Sequence, residues 1–153
     1  MEYNYKSNEK NKSDLQLKHI YVESIEFNRV KELGEEGKPL DLKVTYAKRL
    51  DKLNDDEYRL GLGCMISDGD DGKCLQLSVK MVGTFFIRNN SPDVSEKTLN
   101  EILEKNTVAI MFPFLRSQVT TLTAQPGMNT IVLPAMNINR LFEDKNEMIE
   151  DKN

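Results

Sequence analysis

Few residues in this chain have types and spacing that could support chemistry. The sequence contains one histidine, His19, and two cysteines, Cys64 and Cys74. A structural zinc site needs four such ligands, and nucleophilic catalysis needs a nucleophile beside a base. His19 lies in an alternating, strand-like run without a nucleophile motif, so we interpret it as a core or interface residue. The sequence therefore predicts no catalytic residue, no metal ligand and no cofactor.

The acidic segment at residues 68–72, with the sequence DGDDG, could be proposed as a calcium loop. It lacks the glutamate that closes a twelve-residue calcium-binding loop, whereas Asp-Gly pairs are typical of hairpin turns. We therefore expect a hairpin here. Pairing its two strands by their apolar faces places Cys64 and Cys74 on opposite faces of the sheet, which predicts two free thiols.

Composition limits the class of protein. The chain has 153 residues, of which 30% are charged and 39% hydrophobic, and its net charge is -4. This length fits one domain with a modest core. The negative charge disfavours a nucleic-acid partner, because phosphate-binding proteins need concentrated Lys and Arg. There is no apolar run of about 18 residues and no signal-peptide core, which predicts a cytoplasmic protein without membrane insertion.

Three parts differ in composition. Residues 1–13 are polar without periodic apolar residues, and we expect a disordered lead. Residues 14–142 form the predicted folded domain. Residues 143–153 are rich in acidic residues, and we expect a flexible tail.

Four stretches alternate apolar and polar residues, as half-buried strands do. The first places Leu17, His19, Tyr21, Ile25 and Phe27 on one face and Ile20 and Val22 on the other. This strand must therefore be covered on both sides or contain a bulge. A second strand follows the loop at residues 34–39 and leads into a charged connection at residues 48–57. The third carries Gly61 and Gly63 on its bare face, and the fourth precedes a helical region.

The most apolar stretch, residues 108–127, predicts the main helix. Proline suits the first turn of a helix, so we expect this helix to begin at Pro113 and to end before Pro126. A capping-box pattern at residues 93–96 predicts a separate short helix before it. Residues 128–134 read as an extended apolar connection, and Asn137 could cap a last short helix. The predicted fold class is α+β, with a four-stranded antiparallel sheet packed on a long helix.

Several separated motifs occur in the order found in one known family. The sequence is AIMFPFLR at residues 109–116, LPAMNI at 133–138 and LF at 141–142, with IY at 20–21, IEF at 25–27 and GTF at 83–85. This collinear set resembles the SecB export-chaperone family over residues 15–142. The resemblance implies a dimer of dimers, a homotetramer whose helices lie between outer sheets. It also implies an ATP-independent holdase that binds unfolded or nascent polypeptides in apolar grooves.

The resemblance also suggests particular residues for these roles. The expected groove residues are Tyr46, Tyr58, Phe85, Met128, Ile131 and Leu133. The expected interface residues, which also follow from the two-sided first strand and the apolar helix, are Ile20, Val22, Leu115, Val119 and Leu122.

The partner is open to more than one interpretation. Family members that deliver preproteins to the motor SecA carry acidic residues at positions that align with Ser24, Asn28 and Ser78. Glu23 and Glu26 are expected to point to the opposite face. A chaperone that protects the antitoxin of a toxin-antitoxin system is therefore an alternative to one that serves SecA. A small-molecule-binding α+β domain is a second alternative, which predicts an enclosed pocket with convergent polar groups.

Overall fold

The computed structural model describes residues 15–29, 41–68, 74–87, 95–135 and 137. They form the strands β1 (Leu15–Arg29), β2 (Leu42–Lys52), β3 (Glu57–Asp68) and β4 (Leu75–Ile87), and the helix α1 (Glu96–Thr123). The predicted α+β class, with four strands and a long helix, is confirmed. The predicted lead and tail, the loop at 34–39 and the last short helix lie outside the described residues, as do residues 69–72 of the predicted hairpin turn.

The strands form one antiparallel sheet in the order β1-β4-β3-β2. We call the face that packs on α1 the inner face and the opposite one the outer face. Alternating apolar residues of β3 and β4 lie on the inner face, as predicted. The charged connection was predicted to start at residue 48, but β2 continues to Lys52, because Leu50 packs against the core.

β1 carries two irregularities in its pairing with β4. The register shifts between Leu17 and His19 and again between Val22 and Ser24. Each shift inserts one residue and reverses the alternation of faces. The predicted bulge is confirmed, but the predicted faces are wrong for the four residues between the two shifts. His19 and Tyr21 are exposed opposite Thr84 and Val82 on the outer face, whereas Ile20 and Val22 share the inner face with Leu17.

α1 is a single helix of 28 residues, so the prediction of two helices with a start at Pro113 is wrong. Ser95 is its N-cap, and the Ser95 hydroxyl accepts a hydrogen bond from the Thr98 amide at 3.3 Å. Pro113 lies in the helix interior on an exposed face. An interior proline costs about 3 kcal/mol. Burial of Val108, Met111 and neighbouring residues on both sides of the proline offsets that cost.

The core lies between α1 and the inner face of β3 and β4. The rings of Tyr46 and Phe112 join β2 to the helix, with their centroids 5.8 Å apart. Gly83 lets the helix come close, because Met111 occupies the space above it. A salt bridge of 3.1 Å between Lys48 and Glu104 links the edge of the sheet to the N-terminal half of the helix.

Candidate functional site

The segment that follows α1 is the strongest candidate for a functional surface. Residues 124–135 contain no helix or strand of their own, and two of them, Ile131 and Leu133, pack on the core. Leu133 is buried, Ile131 is half-buried against the core, and Val132 between them is 63% exposed. This alternation fixes one side of the segment to the protein and presents an apolar side chain on the other. We call residues 128–134 the connecting segment.

Two side chains of α1 hold the connecting segment. Thr123 is fully buried, and its Oγ1 accepts a hydrogen bond from the amide of Ile131 at 2.8 Å. Arg116 donates through Nε to the carbonyl oxygen of Leu133 at 2.9 Å. The Arg116 side chain is thus bound to the main chain of the segment. The segment is therefore fastened at two positions two residues apart.

A third anchor comes from β1, at the opposite end of the sequence. Arg29 donates through Nη1 to the carbonyl of Pro126 at 2.9 Å and through Nη2 to the carbonyl of Gly127 at 2.8 Å. Gly127 has a φ of 74°, the left-handed conformation that follows many helices. The last turn of α1 contains no basic residue, so Arg29 brings the positive charge that the helix C-terminus favours.

The predicted groove residues occupy different depths. Tyr46, Phe85 and Leu133 are buried in the same core cluster, and Ile131 packs against it. Tyr58 is buried in a second cluster with Ile87 and Leu103. Met128 is half-buried at the start of the connecting segment. Burial, and then the Cys64 thiol, raises the pKa of Tyr46, while Arg116 opposes the shift. Contact with a bound polypeptide stays a prediction for all six predicted groove residues.

The predicted interface residues face inward in this chain. Ile20 and Val22 are half-buried on the inner face of the sheet, and Leu122 is half-buried against the same core. Leu115 and Val119 have no exposed surface. Their role in an assembly therefore stays a prediction.

Sequence reasoning missed the exposed apolar side chains. Val132 of the connecting segment, Phe114 and Ile102 of α1, and Tyr21 and Ile25 of β1 are exposed, each by more than two fifths of its surface. Helical spacing could have identified Phe114, because it lies off the stripe that contains Leu115 and Val119. The exposure of Val132 follows from the anchoring of its two neighbours, for which the local sequence carries no signal.

The outer face of the sheet contains an open trough of about 440 Å³. Gly61 and Gly63 form its floor, as the predicted bare face of β3 suggested. Its rim includes Met65, Arg49 and Lys80. It is an open depression, unlike the enclosed pocket expected of a small-molecule-binding domain.

Two acidic residues were assigned to the wrong face. Glu26 pairs in register with Ser78, so its exposed side chain shares the outer face with that serine. Glu23 lies at the second register shift of β1, and its carboxylate forms a 2.8 Å salt bridge with Lys80 on the outer face. Residues 24, 26 and 28 alternate without a shift, so their spacing could have shown that Glu26 shares the face of Ser24 and Asn28. Glu23 reaches the same face through the bulge, which the sequence does not locate.

Burial lowers the reactivity of one of the two thiols. Cys64 is a free, buried thiol, and burial raises its pKa to about 11. Cys74 is also free, as predicted. Within the described ranges, no three His, Cys, Asp or Glu side chains come together in a way that could hold a metal ion. In the same part of the chain, no helix has the length and apolarity needed to cross a membrane.

One solved structure shares this architecture. A solved SecB-like chaperone of Mycobacterium tuberculosis, Rv1957, in complex with a ChAD peptide from the HigA1 antitoxin, superposes with a TM-score of 0.66. Its sequence identity is 12%, and the match covers 81% of this chain and 91% of that one. A protein of unknown function from Streptococcus agalactiae matches with a TM-score of 0.40 and 13% identity, over 79% of this chain and 97% of that one.

Sequence comparison gives one curated relative and a family. An uncharacterized protein of Methanocaldococcus jannaschii is 29% identical over 75 residues. The match spans 49% of this chain and 46% of that protein, so this chain covers less than half of the relative's length. The profile of the SecB family, described as preprotein translocase subunit SecB, matches residues 8–148. This match covers nearly the whole chain, and the chain therefore belongs to the SecB family.

Proposed function

We propose that this protein is an ATP-independent chaperone that holds unfolded polypeptides, its clients, on an apolar surface. The observation that carries the proposal is the connecting segment, where Val132 is 63% exposed while Ile131 and Leu133 are fixed against the core. Contiguous exposed apolar surface is typical of sites that bind other polypeptides. Membership of the SecB family supports the same conclusion.

The proposed mechanism is burial without chemistry. An unfolded client exposes aliphatic and aromatic side chains, and contact with Val132, Met128 and Ile131 removes apolar surface from water. Each square ångström removed is worth roughly 25 cal/mol. The flexible methionine side chain adapts to different partners. We assign client contact to these three residues, and support in the core beneath them to Leu133, Tyr46 and Phe85. Tyr58 lies in the second core cluster and is assigned no client contact.

We also propose that the protein assembles as a homotetramer, a dimer of dimers. Phe114 and Ile102 are exposed on α1, and Arg116 is the one charged residue in the sequence from 106 to 123. A helix face of this kind is suited to packing on a second copy. At the edge strand β1, Tyr21 and Ile25 provide further exposed apolar surface. A native mass equal to one chain at micromolar concentration would contradict the assembly.

For the partner, we favour an antitoxin over delivery to SecA. The structure that supports this choice is the M. tuberculosis SecB-like chaperone with its antitoxin peptide. On the outer face, Glu26 is exposed, but Glu23 is paired with Lys80, which reduces the negative charge that SecA docking would use. A dedicated chaperone predicts one strongly preferred polypeptide in pull-downs from the source cell. A broad set of nascent chains would instead favour a general export role.

Light scattering tests the holding activity. The protein is mixed with several chemically denatured proteins at increasing molar ratio, in buffer without ATP, and their aggregation is followed. We expect suppression to saturate near a stoichiometric ratio. Unchanged aggregation for every client would overturn the proposal.

A further inference from the structure

Two side chains of α1 hydrogen-bond to the connecting segment from the protein side, the buried Thr123 and the half-buried Arg116. We propose that Thr123 and Arg116 are positioning residues for client binding: they fix the segment in the form that presents Val132, without touching the client themselves. This inference rests on the proposed function and names the residues on which its affinity depends.

Thr123 is built to receive one particular amide. Its Oγ1 lies 2.8 Å from the carbonyl oxygen of Val119, one helical turn earlier, and donates its proton there. The proton is thereby committed to the helix, and a lone pair is left to accept the amide of Ile131 at 2.8 Å. The helix thus sets the orientation of the hydroxyl, and the hydroxyl sets the position of Ile131.

Arg116 forms the second anchor, two turns earlier along the helix. Its Nε donates to the carbonyl of Leu133 at 2.9 Å. The guanidinium is planar and rigid, so a bond through Nε restricts the position of the carbonyl more than a flexible lysine would. The two anchors hold the residues on either side of Val132, which fixes the direction of its side chain.

Preorganisation is the expected benefit. A segment that is free to move must lose conformational freedom when a client binds, and that loss reduces affinity. A segment that is already fixed does not incur this cost. The anchors lie on the protein side of the segment, whereas the exposed side chain lies on the other, so their effect on the client is indirect.

Client affinity of the full-length chain tests the proposal. The probe is a reduced, carboxymethylated protein that stays unfolded in buffer, and its Kd is measured by fluorescence anisotropy. For Thr123→Val we expect about tenfold weaker binding, the scale of one lost buried hydrogen bond. Thr123→Ser keeps the hydroxyl and should bind like the wild type. Thr121→Val, at an exposed position in the same turn, is the matched control.

A second measurement separates positioning from general damage. Amide hydrogen exchange at Ile131 should accelerate in Thr123→Val, while the native mass stays that of the wild type. Arg116→Gln, at a half-buried position, provides an independent test if Thr123→Val does not fold. We expect it to weaken binding as well.

Two results would overturn the inference: unchanged client affinity despite faster exchange at Ile131, or equal loss of affinity in Thr123→Ser and Thr123→Val. A wild-type protein that binds no unfolded probe would instead overturn the proposed function, and the exchange measurement would still report on the anchors.

Discussion

Met111 and Gly83 lie so close that a methyl group added to Gly83 would stand 2.5 Å from the Met111 sulfur atom. Side chains of Phe85 and Leu17 border the same space, at 3.2 and 3.3 Å. The glycine therefore sets how closely α1 approaches the sheet. We expect Gly83→Ala to lower the free energy of unfolding by about 1–3 kcal/mol, the usual cost of overpacking a core.

Urea denaturation checks this prediction, with Gly61→Ala as the control. At Gly61 the nearest atom to an added methyl group is 3.9 Å away, which is ordinary contact distance. Equal destabilisation by the two substitutions would contradict the role of close helix approach at Gly83.

Val132 should contribute to client affinity and little to stability, because 63% of its surface is exposed. We expect Val132→Asp to weaken binding of an unfolded client about tenfold, since it replaces apolar surface with a charge that must be desolvated. The free energy of unfolding should change by less than about 0.5 kcal/mol. Anisotropy titration and denaturation measure the two quantities.

The control for this prediction is Asn129→Asp, which adds the same charge at an exposed position of the same segment. If both substitutions weaken binding equally, net charge rather than the Val132 side chain is responsible.

Arg29 should stabilise the end of α1 through its two bonds to the carbonyls of Pro126 and Gly127. We expect Arg29→Gln to lower the free energy of unfolding by about 1 kcal/mol, the net value of such hydrogen bonds near a surface. Thermal unfolding measures the change. Arg59→Gln, which removes an exposed arginine from the outer face, should have almost no effect. A larger loss in Arg59→Gln would disprove the assignment.

The Asp68 carboxylate should make the free energy of unfolding depend on pH. Its carboxylate accepts hydrogen bonds from the amides of Leu75 and Cys74, at 2.9 and 3.0 Å, and these bonds hold the pKa of Asp68 below its usual range. Because the folded-state pKa is the lower one, the stabilisation is present above the unfolded-state pKa and disappears as the pH falls through the folded-state pKa. Asp68→Asn should therefore be less stable than the wild type at pH 7 and closer to it at strongly acidic pH.

Urea denaturation across this pH range measures the difference. Asp41→Asn, an exposed aspartate before β2, is the control. A stability gap between Asp68→Asn and the wild type that stays constant from neutral to acidic pH would contradict the mechanism.

The two thiols should react at different rates. Burial raises the pKa of Cys64 to about 11, so little of the reactive thiolate forms at pH 8. Cys74 is half-buried. In the native protein we expect Cys74 to react readily with an aromatic disulfide reagent. Cys64 should react after the protein is unfolded. Fast reaction of Cys64, identified by mass spectrometry of the labelled peptide, would show that the core opens there.

The sequence predicts β3 and β4 well because their apolar residues alternate without interruption. β1 is different, since an inserted residue changes which face every following side chain occupies. The pattern indicated a bulge, but it could not place two of them, at Lys18 and at Glu23, where pairing with β4 decides the register. The faces of all four residues between the two bulges, 19–22, were wrong for this reason. Likewise, the energetic cost of a proline inside a helix suggested that the helix begins at Pro113. The helix instead continues through Pro113, because residues on both sides of it are buried.

The candidate site is only partly readable from sequence. The apolar character of residues 128–134 identified the segment, and the depth of its residues depends on bonds between distant positions. Arg29 lies 97 residues from Pro126, and Arg116 lies 17 from Leu133. No local pattern links such pairs. Apolar character therefore suggested the region, whereas the exposure of Val132 can be seen only in the folded structure.

The bulges of β1 affect how this protein can associate. β1 lies at an edge of the sheet, where unpaired backbone groups can capture strands of other molecules. The shifts after Leu17 and after Val22 divide β1 into regular stretches at residues 15–17, 19–22 and 24–29. A foreign strand can match that edge over a few residues before its register is broken. A protein that displays apolar surface thus has an edge poorly suited to nucleating fibrils of its own.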